Sequence, residues 1–139
     1  MNYTENKQNL FSVSSEYYIA HCIAEDLKMS AGIAVDIQKK FHVRGQILKG
    51  THDHRFPACI LTGRVFNLIT KKKSTGKPNY ESMRAALMRM RSLCVDHAIE
   101  KVAMPKIGCG LDRLSWPAVR GMLYGIFMDL DVDILVCHL

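Results

Sequence analysis

The chain has 139 residues, 48% of them hydrophobic and 23% charged. That length predicts one domain over residues 1–139, and that balance excludes a disordered chain. The net charge of +6 favours anionic partners such as phosphates, nucleotides or nucleic acid.

In chain order, a first strand is predicted around Tyr3–Lys7. Tyr17–Ile23 is short, apolar and rich in aromatic and β-branched residues, which predicts a buried strand that turns at Ala24-Glu25-Asp26. Ser30–His42 is predicted as a helix capped by Ser30, with Ile33, Ile37 and Phe41 on one face. Val43–Gly50 predicts a short helix or turn, and Thr51–Pro57 a polar loop. Ala58–Leu61 and Arg64–Thr70 form a predicted hairpin around Thr62-Gly63. After a basic loop, Lys71–Pro78, the longest helical pattern runs from Asn79 to His97 with Met83, Leu87, Met90 and Cys94 as its stripe.

Val102–Met104 is a predicted strand, followed by the glycine-bearing loop Met104–Arg113. A helix capped by Ser115, with Pro117 in its first turn, runs to about Asp129, and Asp131–Cys137 closes the chain as a strand. Strands alternating with helices predict an α/β fold, an α/β/α sandwich on a mixed sheet. Ligands of such folds bind outside the carboxyl ends of the strands. Three loops should therefore share a crevice: Ala24–Ile33, Lys71–Pro78 and Lys106–Arg113.

Five cysteines, Cys22, Cys59, Cys94, Cys109 and Cys137, include no Cys-x-x-Cys pair, so free thiols in a reducing compartment are expected. The start of the chain is polar, with no signal-peptide core, and no apolar run is long enough to cross a bilayer. Together these predict an intracellular protein, in cytoplasm and/or nucleus, with no membrane partner. His52, Asp53 and His54 lack further ligands at suitable spacing, so no metal site is expected.

Glycine lets backbone approach a ligand closely, and a helix start beside Gly108-Cys109-Gly110 would turn N–H groups toward an anion. The loop Met104–Arg113 thus reads as a phosphate cradle with a carboxylate, Asp112, at its lip. Asp112 is either a general acid or base or a carboxylate favoured by a helix dipole. Lys71 follows an apolar strand. Burial and the neighbouring Lys72 and Lys73 would favour its neutral, nucleophilic amine; the alternative is that all three lysines are solvated. Cys109 has no evident base and reads as a small packing residue, and His21 as a core histidine. Trp116 and Tyr80 read as core or cleft-wall aromatics.

Beyond these readings, the chain resembles a known family. The stretches Ala20-His21-Cys22-Ile23-Ala24-Glu25-Asp26, Met29–Val35, Leu68-Ile69-Thr70-Lys71-Lys72, Lys77-Pro78, Tyr80-Glu81 and Met104–Leu114 are similar, in order, to the terminal ADP-ribose protein glycohydrolases, a class of macrodomains. The resemblance implies a six-stranded mixed sheet sandwiched by helices. It implies hydrolysis of ADP-ribose from glutamate or aspartate side chains and deacylation of O-acetyl-ADP-ribose, with no metal or other cofactor. It further implies that Lys71 attacks the distal ribose and that Asp112 assists proton transfer and release. Lys106, Ile107, Gly108, Cys109, Gly110 and Leu111 would hold the diphosphate and distal ribose, with Ala24, Gly32 and Ile33 opposite. Leu10 and Leu139 match positions near the adenosine.

Four positions depart from the family pattern. Gln8-Asn9 replaces a Gly-Asp pair whose aspartate can hold the adenine amino group. Ala24 stands for a serine, Ser30 for a glycine and Cys137 for a tyrosine. The expected partners are ADP-ribose and ADP-ribosylated proteins, and the expected state is a monomer. A non-catalytic ADP-ribose reader and a hydrolase acting on ADP-ribosylated nucleic acid are the alternatives.

Overall fold

The computed structural model describes residues 1–50 and 52–139; Thr51, within the predicted loop Thr51–Pro57, lies outside the described residues. Six strands form one sheet: β1 (Asn2–Lys7), β2 (Tyr18–Ala24), β3 (Ala58–Thr62), β4 (Val65–Lys71), β5 (Lys101–Met104) and β6 (Asp133–His138). Their order is β1-β6-β5-β2-β4-β3, parallel except for β3, which pairs antiparallel with β4. The helices are α1 (Ile33–Phe41), α2 (Val43–Lys49), α3 (Tyr80–Asp96) and α4 (Trp116–Phe127), with a 3-10 turn at Leu10–Ser12.

Side chains alternate across a strand, so each strand serves two cores. In β4, Phe66 and Leu68 face α3 and α4, while Val65 and Ile69 face α1 and α2. In β2, Ala20 joins the first group, and Ile19 and Ile23 join the second. The α3 stripe Met83, Leu87, Met90 and Cys94 is buried against the first core, and Ala34, Ile37, Val43 and Ile47 of α1 and α2 against the second. The result is a three-layer α/β/α sandwich, as its alternating pattern predicts. No helix among the described residues is long and apolar enough to cross a membrane.

One buried polar pair lies on the α1/α2 face. His21 and Asn67, both fully buried, sit opposite each other in the β2–β4 register. Asn67 donates to Ile60 O and Thr62 Oγ1, which leaves its Oδ1 to accept from His21 Nε2 at 2.6 Å. His21 Nδ1 has no partner among the described residues. Desolvation holds this imidazole neutral and lowers its pKa to about 4, against the opposing pull of the Asn67 bond.

An unfolded histidine titrates near 6.5, so between that pH and about 4 the unfolded chain binds the extra proton. Stability therefore rises with pH across this window: the His21 contribution is complete above 6.5 and lost as pH falls to 4. Its full size is about 3 kcal/mol. Urea unfolding at pH 7 and pH 4.5 should show this loss, and His21→Gln should flatten it.

Two expected helix features differ. The first helix begins at Ile33, with Gly32 rather than Ser30 at its N-cap. Leu27 and Met29 are buried yet adopt left-handed backbone, with φ of 58° and 48°, which delays the helix. Arg44 fixes that irregular path by donating to Leu27 O at 2.6 Å and to Lys28 O. Ser115 does occupy the N-cap of α4, but its side chain makes no capping bond. Its backbone N–H instead donates to Tyr80 Oη at 2.9 Å.

Candidate active site

Strands β2 and β5 are neighbours, but they pair only at Tyr18–Val102 and Ile19–Ala103. Beyond that point they are unpaired, and a cleft of about 380 Å³ opens at their carboxyl ends. Its walls come from the three loops that follow β2, β4 and β5. Parallel strands deliver all three loops to one edge, where ligands of such sheets bind.

Lys71 is the last residue of β4, and a bulge presents it. Ile23 pairs with Ile69, whereas Ala24 pairs with Lys71, so Thr70 is an extra residue on β4. A bulge re-aims the side chain beside it. The backbone is secured by Glu25 N–H to Lys71 O at 2.9 Å, and by Ser82 Oγ–H to Thr70 O at 2.7 Å. Lys71 Nζ then meets Asp112 Oδ1 at 2.7 Å, with both side chains 14% exposed. This is the cleft's ion pair, shielded from bulk water on most sides.

The loop carrying Asp112 is folded on itself. Leu114 N–H reaches back to Gly108 O at 2.7 Å, and Arg113 N–H to Gly110 O at 3.2 Å. Gly108 has φ of 72°, and a Cβ there would lie 2.6 Å from Met83 Cε and 3.0 Å from Leu114 Cδ1. Glycine is therefore required at this position by both backbone and space. Across the cleft, Gly32 has φ of 63° and faces Leu111. The start of α1, Gly32-Ile33-Ala34, lines the wall.

Further bonds tie the loops together. Asp26 accepts from Ser74 N at 2.8 Å and Ser74 Oγ at 2.7 Å. Desolvation is the largest single influence on Asp26 and raises its pKa, but the bonds from Ser74, with one from Lys28 N–H, together outweigh it and lower the pKa. Lys77 Nζ donates to Leu111 O at 2.6 Å. Among the described residues, no group of three or more His, Cys, Asp or Glu is placed to hold a metal ion.

None of the known family profiles matches the chain. A human protein named ADP-ribose glycohydrolase OARD1 is 39% identical over 132 residues, covering 94% of this chain and 87% of the human one. The chain belongs to the terminal ADP-ribose protein glycohydrolase family of macrodomains. Solved macrodomains share its fold. That of Thermus aquaticus DarG superposes with a TM-score of 0.84 at 18% identity, covering 99% of this chain and 98% of the other. Thermosipho africanus DarTG in complex with ADP-ribose gives a TM-score of 0.79 at 14% identity, covering 99% of this chain and 42% of the other.

The macrodomain brings most of the residues singled out in the sequence to one cleft. Lys71, Asp112, Ala24, Gly32, Ile33, Lys106, Ile107, Gly108, Gly110 and Leu111 all line it. Cys109 does not: it is half-buried against the α3/α4 core, and Sγ–H donates to Ile107 O at 3.3 Å. Burial raises its thiol pKa, which suits packing rather than attack. Leu10 and Leu139 also lie outside this cleft. Leu10 is buried beside the α1/α2 core, and Leu139 is exposed after β6.

Three sequence expectations need correction. Of the two glycine-bearing helix starts expected at the crevice, that of α1 lines the cleft and that of α4 does not. Lys72 and Lys73 are exposed, and the close contact of Lys71 is an acid rather than other lysines. Tyr80 is exposed and lines neither core nor cleft, whereas Trp116 is a core aromatic as expected, packing at the α3/α4 core and donating to Glu5 at 2.8 Å. The cross-links Asp26–Ser74 and Lys77–Leu111 carry no local sequence signal, because they join residues 48 and 34 positions apart.

Proposed function

We propose that this macrodomain hydrolyses the bond between ADP-ribose and glutamate or aspartate side chains of proteins, and deacylates O-acetyl-ADP-ribose. The observation that carries this reading is the Lys71 Nζ–Asp112 Oδ1 contact of 2.7 Å at the base of a cleft built by three strand-end loops. A human relative named ADP-ribose glycohydrolase and a fold neighbour solved with ADP-ribose support it.

The ligand spans the sheet edge. Lys71 ends β4, and Leu139 and Leu10 follow β6 and β1. Three to four inter-strand gaps separate them, about 14 to 19 Å at the usual spacing. An extended ligand with distal ribose at Lys71 and adenosine at Leu10 and Leu139 crosses the glycine loop with its diphosphate. There the start of α1 and the backbone of Lys106–Leu111 offer N–H groups. Asn9 Oδ1 already accepts from Phe11 N at 2.8 Å, and its second lone pair remains for the adenine amino group.

The paired Lys71 is an ammonium and cannot attack. Transfer of one proton to Asp112 makes the amine nucleophilic. Nζ then bonds to the anomeric carbon of the distal ribose, the bond from that carbon to the ester oxygen breaks, and the protein carboxylate leaves. Water cleaves the new C–N bond, with Asp112 managing the proton. The sum is one water consumed, with ADP-ribose and the free side chain released.

Protein carrying glutamate-linked ADP-ribose should release free ADP-ribose on incubation, and calorimetry should show ADP-ribose binding. Binding without release would contradict catalysis and identify a reader. An ADP-ribosylated oligonucleotide as a parallel substrate distinguishes protein from nucleic-acid specificity.

A further inference from the structure

We infer that Lys77 is a positioning residue for Asp112, acting through the backbone rather than on the ligand. This inference rests on the assignment of Lys71 and Asp112 as the reacting pair. Leu111 O, the acceptor of Lys77 Nζ at 2.6 Å, belongs to the peptide unit whose nitrogen is that of Asp112. The end of β4 and the loop after it therefore grip Asp112 twice: Lys71 holds its carboxylate at 2.7 Å, and Lys77 holds the peptide preceding it.

The loop's own backbone bonds, Arg113 N–H to Gly110 O and Leu114 N–H to Gly108 O, close it around Leu111 and Asp112, but neither uses the peptide between these two residues. Leu111 is 65% exposed, so its side chain does not anchor the loop by burial. Gly110 has no atom within 4 Å of where a Cβ would sit. Lys77 is itself fixed from both directions along the chain. Upstream, Ser74 makes two bonds to Asp26, and Gly76 N–H closes on Lys73 O at 2.9 Å. Downstream, Asn79 and Ser82 form a reciprocal capping box at the start of α3. A charge-assisted bond from such a support is short and directional. It sets where the carboxylate stands relative to Nζ, and a misplacement of about 1 Å can cost roughly 100-fold in rate.

The test is steady-state kinetics on Lys77→Met, Lys77→Gln and Lys77→Arg, alone and in the Asp112→Asn background. Lys77→Met should lower kcat by about 10- to 100-fold with KM nearly unchanged. Lys77→Arg should recover most of the rate, and Lys77→Gln should fall between, because each can still donate to Leu111 O. With Asp112→Asn already present, Lys77→Met should cost little more. A rise in KM at unchanged kcat, or a full additive loss with Asp112→Asn, would make Lys77 a ligand contact and overturn the inference. Melting temperatures within about a degree of wild type separate positioning from unfolding, since Lys77 is exposed. Should Lys71→Ala and Asp112→Asn both leave activity intact, the underlying pair assignment fails instead, independently of Lys77.

Discussion

Lys71→Ala should abolish turnover while leaving ADP-ribose binding in place. The amine is the group proposed to bond to the ribose, and the other lysines nearby are placed differently: Lys72, Lys73 and Lys106 are exposed, and Lys77 is engaged with Leu111 O. The rate of ADP-ribose release should fall by at least roughly 1,000-fold, the scale on which loss of an activated nucleophile is felt. Binding should persist because the glycine loop and the start of α1, the proposed phosphate-facing backbone, are untouched. The substitution also leaves Asp112, 14% exposed, without its cation. Breaking such a half-buried pair should cost about 1–3 kcal/mol, less than a fully buried one because water can reach the cleft. Release assays and calorimetry on the same preparation check both halves, and wild-type rates in Lys71→Ala would remove lysine from the mechanism.

Gly108→Ala should be the most damaging small change in the cleft. Its Cβ would sit at 2.6 Å from Met83 Cε and 3.0 Å from Leu114 Cδ1, on a backbone with φ of 72°. The Met83 terminus can swing aside at some cost, but the left-handed backbone remains strained for alanine. Strain and overpacking together should cost about 2–4 kcal/mol and displace the loop that carries Asp112. Gly110→Ala is the matched control, since nothing lies within 4 Å of its Cβ. Its stability should stay within about 0.5 kcal/mol of wild type. Any loss of ADP-ribose affinity there reads directly on ligand approach. Urea titration of the two variants, followed by calorimetry, distinguishes them; equal stability loss at both positions would contradict this view of the loop.

Periodicity made the layers legible. Phe66–Thr70 read as a buried strand, and Met83, Leu87, Met90 and Cys94 at spacings of three and four as one helix face, and both are so in the fold. The three strand-end loops were legible for the same reason: alternating elements put them on one edge. What remained hidden depends on tertiary contact. Ser30 looks like a helix cap, but buried Leu27 and Met29 and the reach of Arg44 hold the chain out of helix until Gly32. Both the α1 and α4 starts looked anion-facing because each follows a glycine-bearing loop, but only α1 reaches the cleft wall in space. Thr70 gave no hint of a bulge, which appears only when β2 and β4 are laid in register. Lys71 and Asp112 were each ambiguous alone. Their 41-residue separation closes to 2.7 Å only in the fold.

The most direct measurement is chemical quench of the macrodomain during turnover of glutamate-linked ADP-ribosylated protein, followed by peptide mass spectrometry. The mechanism predicts an ADP-ribose-sized mass increase confined to the peptide containing Lys71. In Asp112→Asn, which removes both the acceptor of the Lys71 proton and the group that assists release, the species should form slowly and persist once formed; it should be absent from Lys71→Ala. Release of ADP-ribose by the wild-type protein with no adduct on Lys71 in either active form would contradict the covalent role of this lysine.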